Sequence, residues 1–531
     1  MLIYKRYFIK IRRDYMASES TARVEEKAPS AVPKDRRYVG SKETFAYILD
    51  DIAQSFNIGK YDDVFKMNIL KIDLVLQSIT NGIISVWDII NDLFLATIVD
   101  KTRTRWGKFK PWLVVYAIPG VFLTVVYWAL PIFMGTEGIG SNIPRFAIYL
   151  ILQIFSNLAS SLIAIVRQGM TSTITPNIID RTRLITSANL LSGFVEKAPE
   201  ILMGVLIDFY INSPAKQALE LTNPDMYQAG YNRMFVLGGV ITAVVSGLFA
   251  LFYAFVAKER VMQTIDRPSV FGGIKSVITN KPLLLITLSE FLGAFSLNSG
   301  TNLYYIEVLN LASMSTIVGI PGAVVSPISY SYVPWARSKF STKALWIAGS
   351  HVDSVLMLGV YAAGKFINIG GKKGYESLAV MIPAFMLRET IWMFFWGIRK
   401  VIPEEMRNEA IDYGEWKNGF RSEGMTGVAK GLITKMVNSV KGVVQPLLFK
   451  AFGYDNTKNQ GAQTPEARYA LFFMCTLLPV ITGILSIVPQ LFYDLQGEKR
   501  DRMYMELRER RKAIAAEVKE FNDAAGEETN K

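Results

Sequence analysis

The sequence predicts an all-α, polytopic membrane protein with twelve transmembrane helices in two six-helix halves, and three observations predict it. Half of the 531 residues are hydrophobic and 12% are aromatic, and they are bunched rather than spread. Stretches such as Trp112–Met134, Phe146–Val166 and Met234–Ala257 run for about 20 residues or more with almost no charge, the length that crosses a hydrocarbon core of roughly 30 Å. The basic residues behind the net charge of +12 gather in short connections between those runs. They form no single patch or stripe, so they read as topology signals rather than a nucleic-acid surface.

In chain order, residues 1–43 are polar and charged. They lack a sustained apolar region and a small-residue cleavage site, so no secretory signal is expected and the first membrane helix serves as the address. The segment reads as a disordered cytoplasmic N-terminus, with translation starting at Met1 or at Met16. The N-terminal half, 44–257, holds spans near 44–68, 72–99, 111–134, 145–169, 185–212 and 233–257. The first is the least regular, because Asp50, Asp51, Lys60, Asp62, Asp63 and Lys66 fall inside it. A long basic connection, 258–281, divides the chain. The C-terminal half, 282–493, holds spans near 282–309, 312–334, 342–364, 376–398, 424–449 and 469–493. The tail, 494–531, is highly charged with helical spacing and reads as a solvated cytoplasmic helix.

Orientation follows from Lys and Arg. The connection after the second span holds Lys101, Arg103, Arg105, Lys108 and Lys110, and that after the sixth holds Lys258, Arg260, Arg267, Lys275 and Lys281. On the other side, Ser141 to Pro144 has none, and 213–232 has only Lys216. The positive-inside rule then puts both termini in the cytoplasm of a multi-pass cell-membrane protein. Two such halves suit a transporter with its site near the midplane. The single cysteine, Cys475, excludes a disulfide framework within one chain. With one histidine, no nucleotide loop and no nucleophile–base set, an enzyme is not expected.

The second span carries the chemistry. Asp88 and Asp92 are spaced i and i+4, so both carboxylates leave one helical face. At low dielectric they repel, and they stay ionised only with a cation or a basic group nearby; otherwise one takes up a proton. That is what a releasable Na⁺ or H⁺ site requires. A structural ion pair, or a helix drawn too long, is the alternative. Asn91, between them, adds a neutral oxygen of the kind hard cations prefer. Intramembrane charges recur as Glu196 and Lys197 in the fifth span, Glu290 in the seventh, Arg388 and Glu389 in the tenth, and Lys435 in the eleventh. Lys435 has no acidic neighbour within its own span, so its partner lies on another. The turn Asp100–Pro111, DKTRTRWGKFKP, mixes an acid with Arg and Lys and is able to pin helix ends together in one state and release them in another.

Asp88–Asp92 together with DKTRTRWGKFKP resembles the glycoside, pentoside and hexuronide cation symporter family, whose melibiose permeases are its best-known branch. Ile411–Gly424, IDYGEWKNGFRSEG, and Asp180–Arg183, DRTR, match that family as well. The resemblance implies the twelve-helix major facilitator fold and symport of a small solute with Na⁺ or H⁺. It implies a cation site at Asp88, Asn91, Asp92 and Ser161, with a serine where the melibiose branch has threonine; if the cation is Na⁺, Asp88 and Asp92 are the charged metal ligands. It implies a coupling role for Lys435, twelve residues after Glu423, and a cytoplasmic gate from Asp100, Arg103, Arg105, Lys108, Asp412 and Arg421. The sugar-binding positions depart: Ser55, Ala164 and Asn189 replace two aspartates and an arginine, and Gln168 replaces a stacking tryptophan. Loss of those partners argues against a galactoside. Asp51 sits where many members place an aspartate, and Glu196 and Arg388 join it as cavity candidates. Sugars, glycosides and uronides remain open as solutes.

Overall fold

The computed structural model describes residues 38–102, 104–175, 178–195, 197–260, 278–297, 300–418, 423–458 and 460–510. Arg103, Glu196 and Arg421, most of the predicted N-terminal segment and central connection, and residues 511–531 lie outside them. Side-chain caps start several of the helices, though not Ser41–Ser55, Lys110–Met134 or Leu378–Phe394. Asp73 accepts from the Val75 and Leu76 amides, at 2.9 and 3.2 Å, where the second span, Leu74–Lys101, begins. Asn142, Asn223, Asn280, Ser341 and Thr464 cap Ile143–Thr173, Pro224–Val256, Lys281–Ala294, Thr342–Phe366 and Pro465–Gly483 in the same way. Four of these, at Asn142, Asn223, Asn280 and Thr464, are followed by proline in the first helical turn. Such a proline costs no hydrogen bond there, because its missing N–H would have had no partner in the helix.

Six of the twelve predicted spans are not single α-helices. The first is Ser41–Ser55, a break, then short helical turns from Gly59 to Ile69 that end in one turn of π-helix. The fifth is Ile178–Val195 followed by Ala198–Asn212, and it begins before the predicted 185. The seventh is Lys281–Ala294 and Thr301–Glu307, separated by Gly300, whose φ is +73°. The eighth, Met314–Ser329 with Val333–Lys339, bends by 64°, and the tenth, Leu378–Phe394 with Trp396–Asn418, by 40°. The twelfth tightens into a 3₁₀ turn at Ile484–Ser486 before Ile487–Leu491. Within 213–232, read from sequence as a loop, Pro214–Thr222 is a short exposed helix, and the sixth span starts at Pro224 rather than 233.

Five described helices are long and apolar enough to cross a bilayer, and seven qualify when each bent pair counts as one span. The other predicted spans, the first, second, fifth, seventh and eleventh, carry the charges or the breaks. Irregular backbone and intramembrane charge are tolerated only where protein or a cavity shields them. Large apolar side chains such as Phe122, Phe133, Leu248 and Phe255 are exposed on the third and sixth spans, as a lipid-facing surface requires.

The halves meet on the face opposite the basic connections. One buried cluster there draws on both: Tyr61, Phe65, Trp128 and Phe235 from the N-terminal half, and Tyr304, Phe385 and Phe472 from the C-terminal half. On the basic face each half has its own core, around Leu113, Val166 and Tyr253 in one and around Ile402, Met406 and Trp346 in the other. Corresponding ion pairs brace the two halves internally. Asp50 meets Arg167 at 2.7 Å between the first and fourth spans, and Glu290 meets Arg407 between the seventh and tenth. Glu43 takes Arg260 in a two-bond fork at 2.7 and 2.9 Å, while Lys281 meets Asp494 at 2.9 Å.

The reading of the tail as a fully solvated helix needs correction for its described part. Residues 498–510 are helical and dock on the end of the tenth span, burying Met503 and Leu507 beside Ile402, Met406, Ala410 and Tyr413. Trp416 donates to Glu506 at 2.7 Å, and Arg500 reaches Glu409 at 3.5 Å. Met503 and Leu507 are one helical turn apart, so a single apolar stripe of the charged helix suffices for docking.

Candidate functional site

Asp88 and Asp92 lie in the uninterrupted second span, Leu74–Lys101, which packs against the eleventh, Glu423–Ala451, and the fourth, Ile143–Thr173. The Lys435 ammonium from the eleventh span contacts Asp88 Oδ2 at 2.7 Å and also Asp92 Oδ2. The lysine with no acidic neighbour in its own span therefore has two on another, in the other half. Its ammonium thus lies against one oxygen of each carboxylate.

The other oxygen of Asp88 faces the fourth span. Ser161 Oγ donates to Asp88 Oδ1 at 3.1 Å, and Asn157 Nδ2 donates to the same oxygen at 3.3 Å. Asp88 thus divides its oxygens between the halves, Oδ1 within its own and Oδ2 across to Lys435. Asn91 is 2% exposed, and neither its Oδ1 nor its Nδ2 has a hydrogen-bond partner among the described residues. Asn157 Oδ1 is likewise buried without one. Asn157 lies one turn before Ser161 on the same helical face, which is the sequence signal that could have found it.

The remaining cavity candidates are more scattered. Ser192 Oγ donates to Asp51 Oδ2 at 2.6 Å, tying the fifth span to the first. Ser55 is half-buried at the last turn of Ser41–Ser55, and Gln168 and Asn189 are exposed. Ala164 lines a cavity of about 370 Å³ inside the N-terminal half, together with Gln54, Ser160 and Arg167. Arg388 is held at Asp353 (2.7 Å) and Glu389 (2.7 Å) and stacks over Trp392. Asp353, Glu290 and Arg407 border a second cavity of about 470 Å³ inside the C-terminal half. Arg167 is visible in the sequence only as a second arginine, after Arg145, in the fourth span.

The basic turn is anchored within its own half. Glu259 accepts from the backbone amides of Lys108, Phe109 and Lys110 at 2.8, 2.6 and 2.6 Å, and the Lys110 ammonium caps the carbonyls of Phe255 and Ala257. Gly107, with φ +111°, leaves room for that carboxylate, since a Cβ there would sit 2.4 Å from Glu259 Cδ. Arg105 lies over the exposed ring of Trp106. Asp100 lies in the last turn of the second helix, and Asp412 accepts from Tyr504 of the tail at 3.4 Å. Asp180 of the DRTR turn accepts from the Tyr38 and Val39 amides ahead of the first helix, both at 3.0 Å.

Among the described residues, the polar links between the halves other than the Lys435 tie lie nearer the opposite face. Asp208 of the fifth span accepts from the Ala312 amide and from the Ser313 amide at 3.0 Å. Asn68 donates to Glu307 and accepts from Tyr454 at 3.0 Å. Asn302 donates to the Lys60 carbonyl at 2.7 Å, and Ser78 and Asn81 reach the Val443 and Gly442 carbonyls. These did not stand out in the sequence: Asp208 and Glu307 lie within five residues of a predicted span end, where a charge is ordinary, and Asn68, Ser78, Asn81 and Asn302 carry no charge.

The sequence profile of the family described as MFS/sugar transport protein matches residues 54–497. The chain belongs to that family. This member is a solute transporter, not an enzyme. It is 26% identical over 445 residues, 83% of this chain and 88% of the relative, to an uncharacterized symporter, YnaJ, of Bacillus subtilis (strain 168). It is 22% identical to a glucuronide carrier protein homolog of Escherichia coli (strain K12), covering 88% of this chain and 95% of that one. It is also 22% identical to the isoprimeverose transporter of Lactiplantibacillus pentosus, covering 88% and 92%. In fold it resembles a bacterial homolog of the human lysosomal transporter Spinster, with a TM-score of 0.52 at 12% identity over 85% of this chain and 95% of that one. The nucleoside transporter NupG gives 0.51 at 11% identity, over 84% and 98%. Those two likenesses carry the major facilitator architecture.

Proposed function

We propose that this protein is a symporter that couples the movement of Na⁺ or H⁺ to uptake of a small sugar, glycoside or uronide other than a galactoside. One observation carries the reading: Lys435 of one half bridges Asp88 and Asp92 of the other. A cation that neutralises Asp88 from the Oδ1 side weakens the hold of Oδ2 on Lys435, and so loosens a tie between the halves. Cation and solute then favour the same state and raise each other's affinity. The basic face is the cytoplasmic one, in the cell membrane, and the opposite face, where the halves close, is the outer one. The arrangement described is then the inward-facing state.

Uptake of a panel of sugars, glycosides and uronides into proteoliposomes, with and without Na⁺, Li⁺ or proton gradients, tests the reading. Gradient-driven accumulation is expected, and Asp92→Asn abolishes it while leaving the protein inserted. Uphill uptake by Asp92→Asn would remove the site assignment. A second reading draws on the same observation, since Lys435 already neutralises the acids without an ion. A cation-independent facilitator would equilibrate solute in the panel and never concentrate it.

A further inference from the structure

We infer that Asn157 is a ligand of the coupling ion and that the site is built for Na⁺ rather than for a proton alone. The inference rests on the cation site proposed above and goes beyond it in naming the ion and a residue that selects it.

Asn157 and Ser161 are one turn apart on the fourth span and share a single oxygen of Asp88. Ser161 makes the shorter bond, so the Asn157 amide, at 3.3 Å, is the weaker of two donors to Oδ1. Its own Oδ1 is buried and unpartnered among the described residues, as are both polar atoms of Asn91 one turn along the second span. Buried amide atoms without partners are rare in folded proteins and call for an explanation. A half-turn about the Asn157 Cβ–Cγ bond, the two-fold rotation open to a terminal amide, exchanges Nδ2 for Oδ1 beside Asp88. Asp88 Oδ1, Ser161 Oγ and the amide oxygen of Asn157 are then neighbours, and the buried amide of Asn91 lies one helical turn along the second span.

The donor set distinguishes the ions. A proton on Asp88 satisfies one carboxylate oxygen and leaves the amide oxygens as they were. A hard, dehydrated monovalent cation takes several oxygens at once and gives each neutral one a partner. Lys435 sits on Oδ2, clear of the Oδ1 side, so the ion and the ammonium meet different oxygens of the same carboxylate.

The test uses the full chain in lipid nanodiscs at fixed pH, titrated with NaCl against choline chloride and read by thermal unfolding and by ²²Na⁺ binding. The native protein is expected to bind Na⁺, and Asp88→Asn to lose the response. Asn157→Ala is expected to weaken Na⁺ binding by about tenfold to a hundredfold, the scale of losing one oriented group at a metal site. It is also expected to change the Na⁺-to-Li⁺ preference, a shift that a purely structural role would not produce. Asn157→Ser, which keeps an oxygen, recovers part of the loss. An unchanged Na⁺ midpoint and preference in Asn157→Ala, with Asp88→Asn inert, overturns the role of Asn157 and leaves the cation site standing. No Na⁺ binding by the native protein, with proton-driven uptake in proteoliposomes, overturns both the choice of ion and the role of Asn157, since a proton needs no amide oxygen. Full Na⁺ binding by Asp88→Asn overturns the parent site itself.

Discussion

Asp208 offers a direct handle on how the halves close. Its carboxylate accepts from the Ala312 and Ser313 amides, which lead into the helix Met314–Ser329 of the other half. Two charge-assisted hydrogen bonds contribute about 1.5–3 kcal/mol each when buried, and a carboxylate at a helix N-terminus gains about 0.3–1 kcal/mol from the dipole. Asp208 is only half-buried, so water screens part of this, and about 2–3 kcal/mol in total is the reasonable figure. At roughly 1.4 kcal/mol per factor of ten, Asp208→Ala should move the ratio of closed to open opposite faces by about 30- to 150-fold. Asp208→Asn keeps one acceptor and should move it about half as far on the logarithmic scale. Spin labels at Thr136→Cys and Lys372→Cys, on connections of the two halves at that face, report the separation by double electron–electron resonance. A new long-distance population is expected in Asp208→Ala. A distribution identical to that of the native protein, in correctly inserted material, would refute the assignment of Asp208 as a latch.

Three further outcomes are expected. Glu259→Ala strips three backbone amides of their acceptor and should cost about 2–4 kcal/mol, read as a lowered Tm; a Tm unchanged within 1–2 °C (roughly the resolution such a shift requires) would contradict it. Leu507→Asp places a charge in the apolar seam between the tail and the tenth span and should release residues 498–510 to limited proteolysis, with a loss of about 2–3 kcal/mol; equal protease resistance would contradict the docking. Burial pushes the Asp494 carboxyl up, but Lys281 and Lys499 outweigh it and hold it below its usual range. Because the folded-state value lies below the unfolded one, the stabilisation is complete above about pH 4 and is lost only as pH falls through the folded value. The Tm difference between native protein and Asp494→Asn should therefore stay constant from about pH 8 to pH 5; a difference that collapsed within that window would count against the clamp.

The parts of the site that sequence revealed are those that are costly. Two aspartates in an apolar run stand out whatever surrounds them, and Lys435 stands out for having no acid nearby. Asn157 did not, since an asparagine in a membrane helix carries no charge penalty and only its distance to Asp88 gives it meaning. The breaks escaped for a related reason. Hydropathy averages over about 19 residues, so a kink at Phe56 or Gly300 vanishes into the apolar sum, while the bends at Tyr330 and Phe395 contain no charge to mark them. The docked tail was hidden by its own composition, with Met503 and Leu507 a small minority among charged neighbours. The latch residues Asp208, Asn68 and Glu307 were invisible because their roles depend on long-range pairing between halves.

The two clamps on the basic face do something their separate energies do not suggest. In the N-terminal half the acid, Glu43, opens the first helix and the base, Arg260, follows the sixth; in the C-terminal half the base, Lys281, opens the seventh and the acid, Asp494, follows the twelfth. The halves are alike in layout, so during assembly each helix opening meets two rival destinations of similar shape. An exchange would set Glu43 against Asp494 and Lys281 against Arg260, like against like. Reversed polarity thus makes the acid and base of each clamp complementary within their own half and mismatched across the two.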